Sequence, residues 1–261
     1  MPRMANKALL SDIFFRCAPN LPQSAALNGF SVMDKRWSIY IDIEGFGSRY
    51  DQTMNALVPL NALMEGIYRI GSKKYSDDIN RLFAHQFGDG FVIVSCFEEE
   101  CLDRAIAISI SLMRHVLASG GLAKASVSEG GFSDIKGCYP REVTDNEKDG
   151  CISVGAGLMT IIPVIAVSID KRSPSGALLT IDSSNKDRIS LEFKTNKIEN
   201  GLLSVNWIKG EQSLVNEISS DSGLSVQSEL DRIARLQKYI SQNDLKPNWV
   251  RTTSYEQGLS I

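Results

Sequence analysis

The chain has 261 residues, of which 43% are hydrophobic, so it can bury a sizeable core and does not have the composition of a disordered protein. Its net charge of −3 and pI near 5.5 argue against a generic nucleic-acid binder, because such proteins usually carry a basic surface. No apolar run approaches the roughly 18 residues of a membrane-spanning helix, and the N-terminus lacks a secretory signal pattern. We therefore expect a cytoplasmic protein that binds neither nucleic acid nor membranes.

Cysteine and histidine usage excludes further classes of site. The five cysteines are scattered, and no two of them have Cys-x-x-Cys spacing. A zinc site or a disulfide framework is therefore not expected. With only two histidines, His85 and His115, a histidine-based metal site or a Ser-His-Asp triad is poorly supported.

Hydrophobic periodicity predicts the elements of the first half of the chain. The first 35 residues give no firm signal and are interpreted as an N-terminal arm. The pattern then predicts a strand over 36–44 and a helix over 51–72, which Pro59 interrupts. A hairpin follows, with strands over 81–87 and 91–96. A helix over 98–118 and a strand over 122–128 complete this half. This β-α-β-β-α-β order predicts an α+β fold with a ferredoxin-like sheet and helices on one face.

The second half predicts additional elements around that core. A polar loop over 129–150 precedes the strongly apolar run from Gly155 to Val167, which suits a buried helix, although a strand remains possible. Three more strands are predicted over 177–182, 188–194 and 202–208. A helix over 227–242 and an extended tail over 245–261 follow. We divide the chain into an arm over 1–35, a main domain over 36–210, and a C-terminal helix and tail over 211–261.

The first predicted strand ends in two carboxylates. Its residues alternate, so that Trp37, Ile39, Ile41 and Ile43 share one face and Ser38, Tyr40, Asp42 and Glu44 share the other. The chain then turns at Gly45 towards a helix, where backbone N–H groups are free to bind anions. Carboxylates and free N–H groups around one point suit a metal–phosphate site.

A second carboxylate lies at the tip of the predicted hairpin. Gly88-Asp89-Gly90 separates two β-rich runs, which is a strong hairpin signal. If this hairpin lies beside the first strand, Asp42 and Asp89 face each other and repel unless a positive charge lies between them. Two magnesium-like ions about 3.5–4 Å apart are the usual solution in phosphoryl chemistry.

Three stretches together resemble class III nucleotidyl cyclases. Asp42-Ile43-Glu44-Gly45-Phe46 is similar to the family's Asp-Ile-x-x-Phe-Thr pattern, and Phe87-Gly88-Asp89 follows at a separation of 89 − 42 = 47 residues, in the family's range. The run from Lys124 to Gly130 is similar to the family's Arg-x-Gly-x-His-x-Gly strand. The resemblance covers roughly residues 35 to 210. Within the family, the chain looks most like the bacterial pyrimidine cyclases of the Pycsar antiphage system.

The resemblance implies a homodimeric enzyme that converts UTP to 3′,5′-cyclic UMP and pyrophosphate as an antiphage messenger. It implies two Mg²⁺ or Mn²⁺ ions per site, held by Asp42, Asp89 and the backbone carbonyl of Ile43. It also implies that Lys124 binds the triphosphate. Because a pyrimidine would leave space in a purine-sized pocket, Tyr50, eight residues after Asp42, is predicted to narrow that pocket. The backbone expected to wrap the triphosphate consists of Glu44, Gly45, Phe46, Gly47 and Ser48.

Other parts of the sequence depart from the family pattern. The Asn and Arg that usually lie four residues apart on the helix after the fourth strand are absent from Gly155–Val167, and His85 replaces the purine-reading Lys or Glu. A cytidylate cyclase, an adenylate cyclase and an inactive cyclase-like dimerisation or binding module remain alternatives. A diguanylate cyclase is disfavoured, because its Gly-Gly-Asp/Glu-Glu-Phe hairpin motif is not present.

Overall fold

The structure is a computed structural model that describes residues 36–46, 53–75, 82–95, 97–130 and 161–259. The predicted N-terminal arm, the polar loop after residue 130 and the start of the apolar run at Gly155 lie outside the described residues. Of the predicted site residues, Gly47, Ser48 and Tyr50 also lie outside them.

The described residues form one mixed sheet and six α-helices. The strands are β1 (Arg36–Ile43), β2 (Leu82–Phe87), β3 (Gly90–Ser95), β4 (Ala123–Gly130), β5 (Leu179–Asp182), β6 (Thr195–Ile198) and β7 (Leu202–Val205). The helices are α1 (Thr53–Lys74), α2 (Asp103–Ala118), α3 (Ile161–Arg172), α4 (Ser213–Ser222), α5 (Glu229–Gln242) and α6 (Pro247–Glu256).

The sheet has the order β2-β3-β1-β4-β5-β7-β6. Strand β1 is antiparallel to both β3 and β4, and β2 is antiparallel to β3. With α1 and α2 as the connections, these four strands have the β-α-β-β-α-β arrangement of a ferredoxin-like core. Strands β5, β7 and β6 extend the sheet beyond β4, and β5 runs parallel to it. The predicted α+β fold with additional C-terminal strands is confirmed.

One face of the central strands is apolar because it packs against α2, which contacts both β1 and β4. The side chains of Trp37, Ile39 and Ile41 are completely buried there, as the alternation in the sequence predicted. Helix α1 packs on α2, but not all of its apolar side chains belong to the core. Leu57 and Met64 are each 44% exposed, because only one side of the helix meets α2.

The opposite face of the sheet is polar, although much of it is buried. Ser38, Ser126 and Thr180 lie on this face and are at most 1% exposed. Helix α3 covers part of the face, and the hydroxyl of Ser126 donates a 2.6 Å hydrogen bond to the carbonyl of Ala166. This buried polar face also carries the candidate site.

The C-terminal helices pack on the main core. Helix α4 contacts α1 and α2, and α5 contacts α2. On α5, the guanidinium of Arg232 is almost fully buried and donates to the carbonyl of Ile208 at 2.6 Å and to Glu211 at 2.9 Å. Trp249 of α6 is also buried in the core.

Two secondary-structure predictions in this half were wrong. The predicted extended tail contains helix α6, with Pro247 in its first turn, where proline fits a helix without losing a hydrogen bond. The predicted strand over 188–194 is irregular. Leu191 is fully exposed and only Phe193 is buried, so the segment lacks the apolar face that would hold a strand against the core. Among the described residues, no helix has the length and hydrophobicity needed to span a membrane.

Candidate active site

Asp42 lies near the end of β1, between two neighbouring strands that shape its surroundings. Across the β1–β3 pairing its direct partner is Gly90, and across the β1–β4 pairing its partner is Lys124. Directly paired residues of antiparallel strands point to the same face of the sheet. The lysine and the carboxylate therefore belong to one surface, while the glycine leaves space beside them.

Asp89 reaches this surface through a tight hairpin turn. Strand β2 ends at Phe87 and β3 begins at Gly90, so the turn has two central residues rather than the three predicted. Gly88 takes a φ of 64°, which glycine adopts without strain at the first central position of a hairpin turn. The side-chain amide of Gln86 also donates to the Gly88 carbonyl at 2.8 Å. The turn thus sets Asp89 next to the residue that faces Asp42.

Asp89 lies close enough to Asp42 for its negative charge to act on the Asp42 carboxyl, so the two acids share one site. Burial, followed by the negative charge of Asp89, raises the pKa of Asp42 to about 7, and Lys124 opposes this shift. Without a cation, the Asp42 carboxyl therefore binds a proton at mildly acidic pH. The Oδ1 atom of Asp42 is buried, and no described residue provides it with a hydrogen-bond partner.

Lys124 projects onto the same surface from β4. Its ammonium donates to Oδ2 of Asp170, on α3, at a distance of 3.1 Å. Burial disfavours the charged ammonium, but Asp170, Glu44 and Asp42 outweigh this effect and raise the pKa of Lys124 above its usual value. The lysine is therefore a fixed positive charge at neutral pH, held among several carboxylates.

Tyr40 adds a phenol to the surface, two residues before Asp42 on β1. Burial, and then the charges of Asp42, Asp170 and Asp89, raise the pKa of Tyr40 well above its ordinary value. The phenol therefore stays protonated and can donate a hydrogen bond to an anion.

The chain leaves β1 through a turn at 44–46. The backbone N–H of Glu44 donates to the Leu122 carbonyl at 2.9 Å, and Gly45 takes a φ of 72°, which favours glycine. Phe46 packs against the hydrophobic core. The turn is thus fixed at both ends, directly beside Asp42.

The donor set fits a divalent cation in two respects. Asp42 and Asp89 supply carboxylate oxygens, the ligands that Mg²⁺ and Mn²⁺ prefer. The buried Oδ1 atom of Asp42 needs a partner, and a cation would supply one. Within the described ranges, no group of three or more His, Cys, Asp and Glu side chains is arranged to hold a metal. Any bound ion would therefore need further oxygens, such as the Ile43 carbonyl, water or substrate phosphate.

Sequence reasoning missed three residues of this surface. Tyr40 could have been found from the alternation, which places it on the same face as Asp42. Gly90 was recognised only as a turn residue, although it is the neighbour that leaves space for Asp42. Asp170 had no sequence signal, because it comes from α3, 46 residues beyond Lys124.

Arg172 and His85 occupy different surroundings from the central cluster. Arg172 binds Asp182 and the Asn200 carbonyl, each at 3.3 Å. His85 pairs with Val92 on β3, whose other neighbour is Tyr40, so His85 lies on the site face one strand further out.

Comparisons with known proteins identify no family for this chain. No family model matches the sequence, and no curated protein matches it. A solved structure of a bacterial light-regulated adenylyl cyclase is similar, with 14% identity over 83% of this chain and 69% of that chain, at a TM-score of 0.47. A likeness this distant does not establish an activity.

Proposed function

We propose that the protein is a metal-dependent nucleotidyl cyclase that acts on a pyrimidine nucleoside triphosphate, with UTP as the first choice. The observation that supports this proposal is the Asp42–Asp89 pair. Two carboxyls from separate elements lie close enough for their charges to interact, and Oδ1 of Asp42 is buried without a hydrogen-bond partner among the described residues. Such a pair is costly for a fold to maintain unless a cation binds there.

The groups around the pair suit a triphosphate. Lys124 supplies a fixed ammonium on the same face, and the turn at Gly45 presents backbone beside Asp42. The protonated phenol of Tyr40 is a hydrogen-bond donor for a phosphate or ribose oxygen. Positive and donor groups next to a carboxylate pair have the charge distribution that a metal–triphosphate complex requires.

In the proposed reaction, the ribose 3′-oxygen forms a bond with the α-phosphorus, and the bond from the α-phosphorus to the bridging oxygen of the β-phosphate breaks. Pyrophosphate leaves, the 3′-hydroxyl proton passes to solvent, and the product is the 3′,5′-cyclic nucleotide. Divalent ions, when bound, would activate the hydroxyl and neutralise phosphate charge. Asp42 and Asp89 would hold them, with the Ile43 carbonyl as a further oxygen, and Lys124 would orient the triphosphate.

The substrate base, the dimer and the role in antiphage defence rest on the resemblance described above. We propose UTP because the position of the family's purine-reading residue carries His85, and because Tyr50 lies just beyond the phosphate loop and could narrow the pocket. CTP is the second choice and ATP the third. We also propose a cytoplasmic homodimer with two sites, since cyclase sites of this kind form between two subunits.

The test is to incubate the purified full-length protein with each of the four nucleoside triphosphates and Mn²⁺ and to identify the products by mass. We expect cyclic UMP and pyrophosphate from UTP, and no product from the Asp42→Asn variant. Failure to form any cyclic nucleotide would refute the enzyme proposal. Binding of Mn²⁺ and UTP without turnover would instead favour the inactive binding module.

A further inference from the structure

Lys124 has two candidate partners. It is the direct cross-strand neighbour of Asp42, and side chains at such positions have Cβ atoms about 4.5–5.5 Å apart. The ammonium nevertheless donates to Asp170 at 3.1 Å. Asp42 keeps a buried oxygen that has no partner among the described residues, although a lysine lies beside it.

The position of Asp170 is fixed by the way α3 lies on the sheet. Four residues earlier, the Ala166 carbonyl accepts the hydrogen bond from the buried hydroxyl of Ser126. Just after the helix, the hydroxyl of Ser173 is 2.8 Å from that of Thr180 on β5. With contacts on both sides, the carboxylate has little freedom, and its side chain is only 11% exposed.

A fixed carboxylate determines where a flexible lysine lies. The lysine side chain has several rotatable bonds, so its ammonium can move to form an ion pair with a nearby anion. Here Asp170 competes with Asp42 for that ammonium, and the observed pairing favours Asp170.

We infer that Asp170 is a positioning residue that holds Lys124 away from Asp42, so that the Asp42–Asp89 pair stays open to a cation. This inference rests on the metal site of the proposed function. Asp170 does not itself need to touch the metal. Its role is to prevent an internal salt bridge between Lys124 and Asp42 that would occupy a metal ligand.

The inference predicts a coupling between two residues that can be measured without turnover. Asp170→Asn should release Lys124 to pair with Asp42, and should weaken binding of Mn²⁺ alone to the full-length protein by at least tenfold. When Lys124→Met is also present, no ammonium remains to occupy Asp42. The Asp170→Asn change should then alter Mn²⁺ affinity by less than twofold.

This double-mutant cycle separates positioning from a simple loss of negative charge. If Asp170 acted only through its charge, Asp170→Asn would weaken Mn²⁺ binding equally with and without Lys124, because distant charge effects are additive. Asp182→Asn serves as the matched control. It removes a carboxylate that pairs with Arg172 rather than with Lys124, and it should leave Mn²⁺ affinity within twofold of wild type.

Free Mn²⁺ measured by electron paramagnetic resonance gives the affinities, and circular dichroism checks folding. Asp170→Glu, which keeps the charge, is a second variant and should retain affinity within threefold. Equal effects of Asp170→Asn in both backgrounds, or no effect at all, would overturn the inference. Failure of the wild-type protein to bind Mn²⁺ would overturn it together with the metal site, whereas Mn²⁺ binding without any cyclic product would overturn the proposed reaction alone.

Discussion

Gly90 faces Asp42 across β1 and β3, and the missing side chain of the glycine creates the space in which the carboxyl pair lies. A Cβ atom at Gly90 would be 2.9 Å from the phenol oxygen of Tyr40 and 3.2 Å from Oδ1 of Asp42. Both distances are shorter than ordinary van der Waals contact, so Gly90→Ala must displace one of these groups. Hydrogen-bonding geometry at the site therefore depends on a residue that has no functional group.

We expect Gly90→Ala to lower the cyclisation rate at least tenfold. The fold should survive, since overpacking by one methyl group destabilises a protein by about 1–3 kcal/mol. Part of this loss is offset because alanine is more stable than glycine in the middle of a strand. Enzyme rates and urea unfolding measure the two effects. Gly71→Ala is the matched control. No atom lies within 4 Å of its added Cβ, so it should stabilise α1 by about 0.5–1 kcal/mol and leave activity unchanged. Equal activity of the two variants would contradict the assignment of the site.

Asp42→Ala and Asp89→Ala should each abolish cyclisation without unfolding the protein. Each change removes one carboxylate of the pair that we propose as the metal ligands. The measurement is the rate of cyclic nucleotide formation, with circular dichroism as the check on folding. A folded variant that kept more than about a tenth of the wild-type rate, equivalent to less than about 1.4 kcal/mol of barrier, would show that this carboxylate is not essential.

The stability of the metal-free protein should fall as pH rises from about 4 to about 7. In this range the unfolded chain has lost the Asp42 proton, because the ordinary pKa is 3.8, whereas the folded chain retains it because its pKa is about 7. The folded state therefore binds more protons, and stability decreases with rising pH. Above this range Asp42 is ionised in both the folded and the unfolded state, so its destabilising contribution to the free energy of unfolding no longer changes with pH.

Thermal unfolding in the presence of a chelator tests this dependence. The wild-type melting temperature should decline between pH 5 and pH 8 relative to that of Asp42→Asn, in which the titrating group is absent. Parallel curves for the two proteins would contradict the raised pKa of Asp42. Added Mn²⁺ should reduce the difference, because a bound cation favours the ionised carboxyl.

The active protein should be a symmetric dimer. In the proposed cyclase each site lies between two subunits, and one chain supplies one catalytic core, so two chains should give two sites. Light scattering at the concentrations used for turnover gives the mass. A monomeric mass under conditions in which the protein converts UTP would exclude an interfacial site.

Tyr50→Ala should lower turnover of UTP and weaken the preference for pyrimidines over purines. A pocket that satisfies the polar groups of one base leaves some unpaired with another, and a narrow pocket excludes the larger purines. The measurement is kcat/KM for UTP, CTP, ATP and GTP in both proteins. Unchanged rates and selectivity would show that Tyr50 does not contact the base.

Much of the fold could be predicted because its signals are local. Alternation of Trp37, Ile39 and Ile41 predicted a strand with one buried face, and these side chains are fully buried. The glycines around Asp89 predicted the hairpin, although the turn is one residue shorter than expected. In contrast, α4 and α6 were missed. Their stability depends on packing against other elements more than on helix propensity, and a sequence window does not show that packing.

For the candidate site, the sequence by itself was enough to identify Asp42 and Asp89 as the candidate acids. Asp42 near the end of the first strand and Asp89 at the hairpin tip were expected to face each other if the hairpin lay beside that strand, and the pairing of β1 with β3 meets this condition. Only the tertiary structure decided which groups surround them. The approach of α3 brings Asp170 to Lys124, and strand register sets Gly90 opposite Asp42. These contacts join distant parts of the chain, and their geometry follows from how helices and strands pack together, which no local pattern encodes.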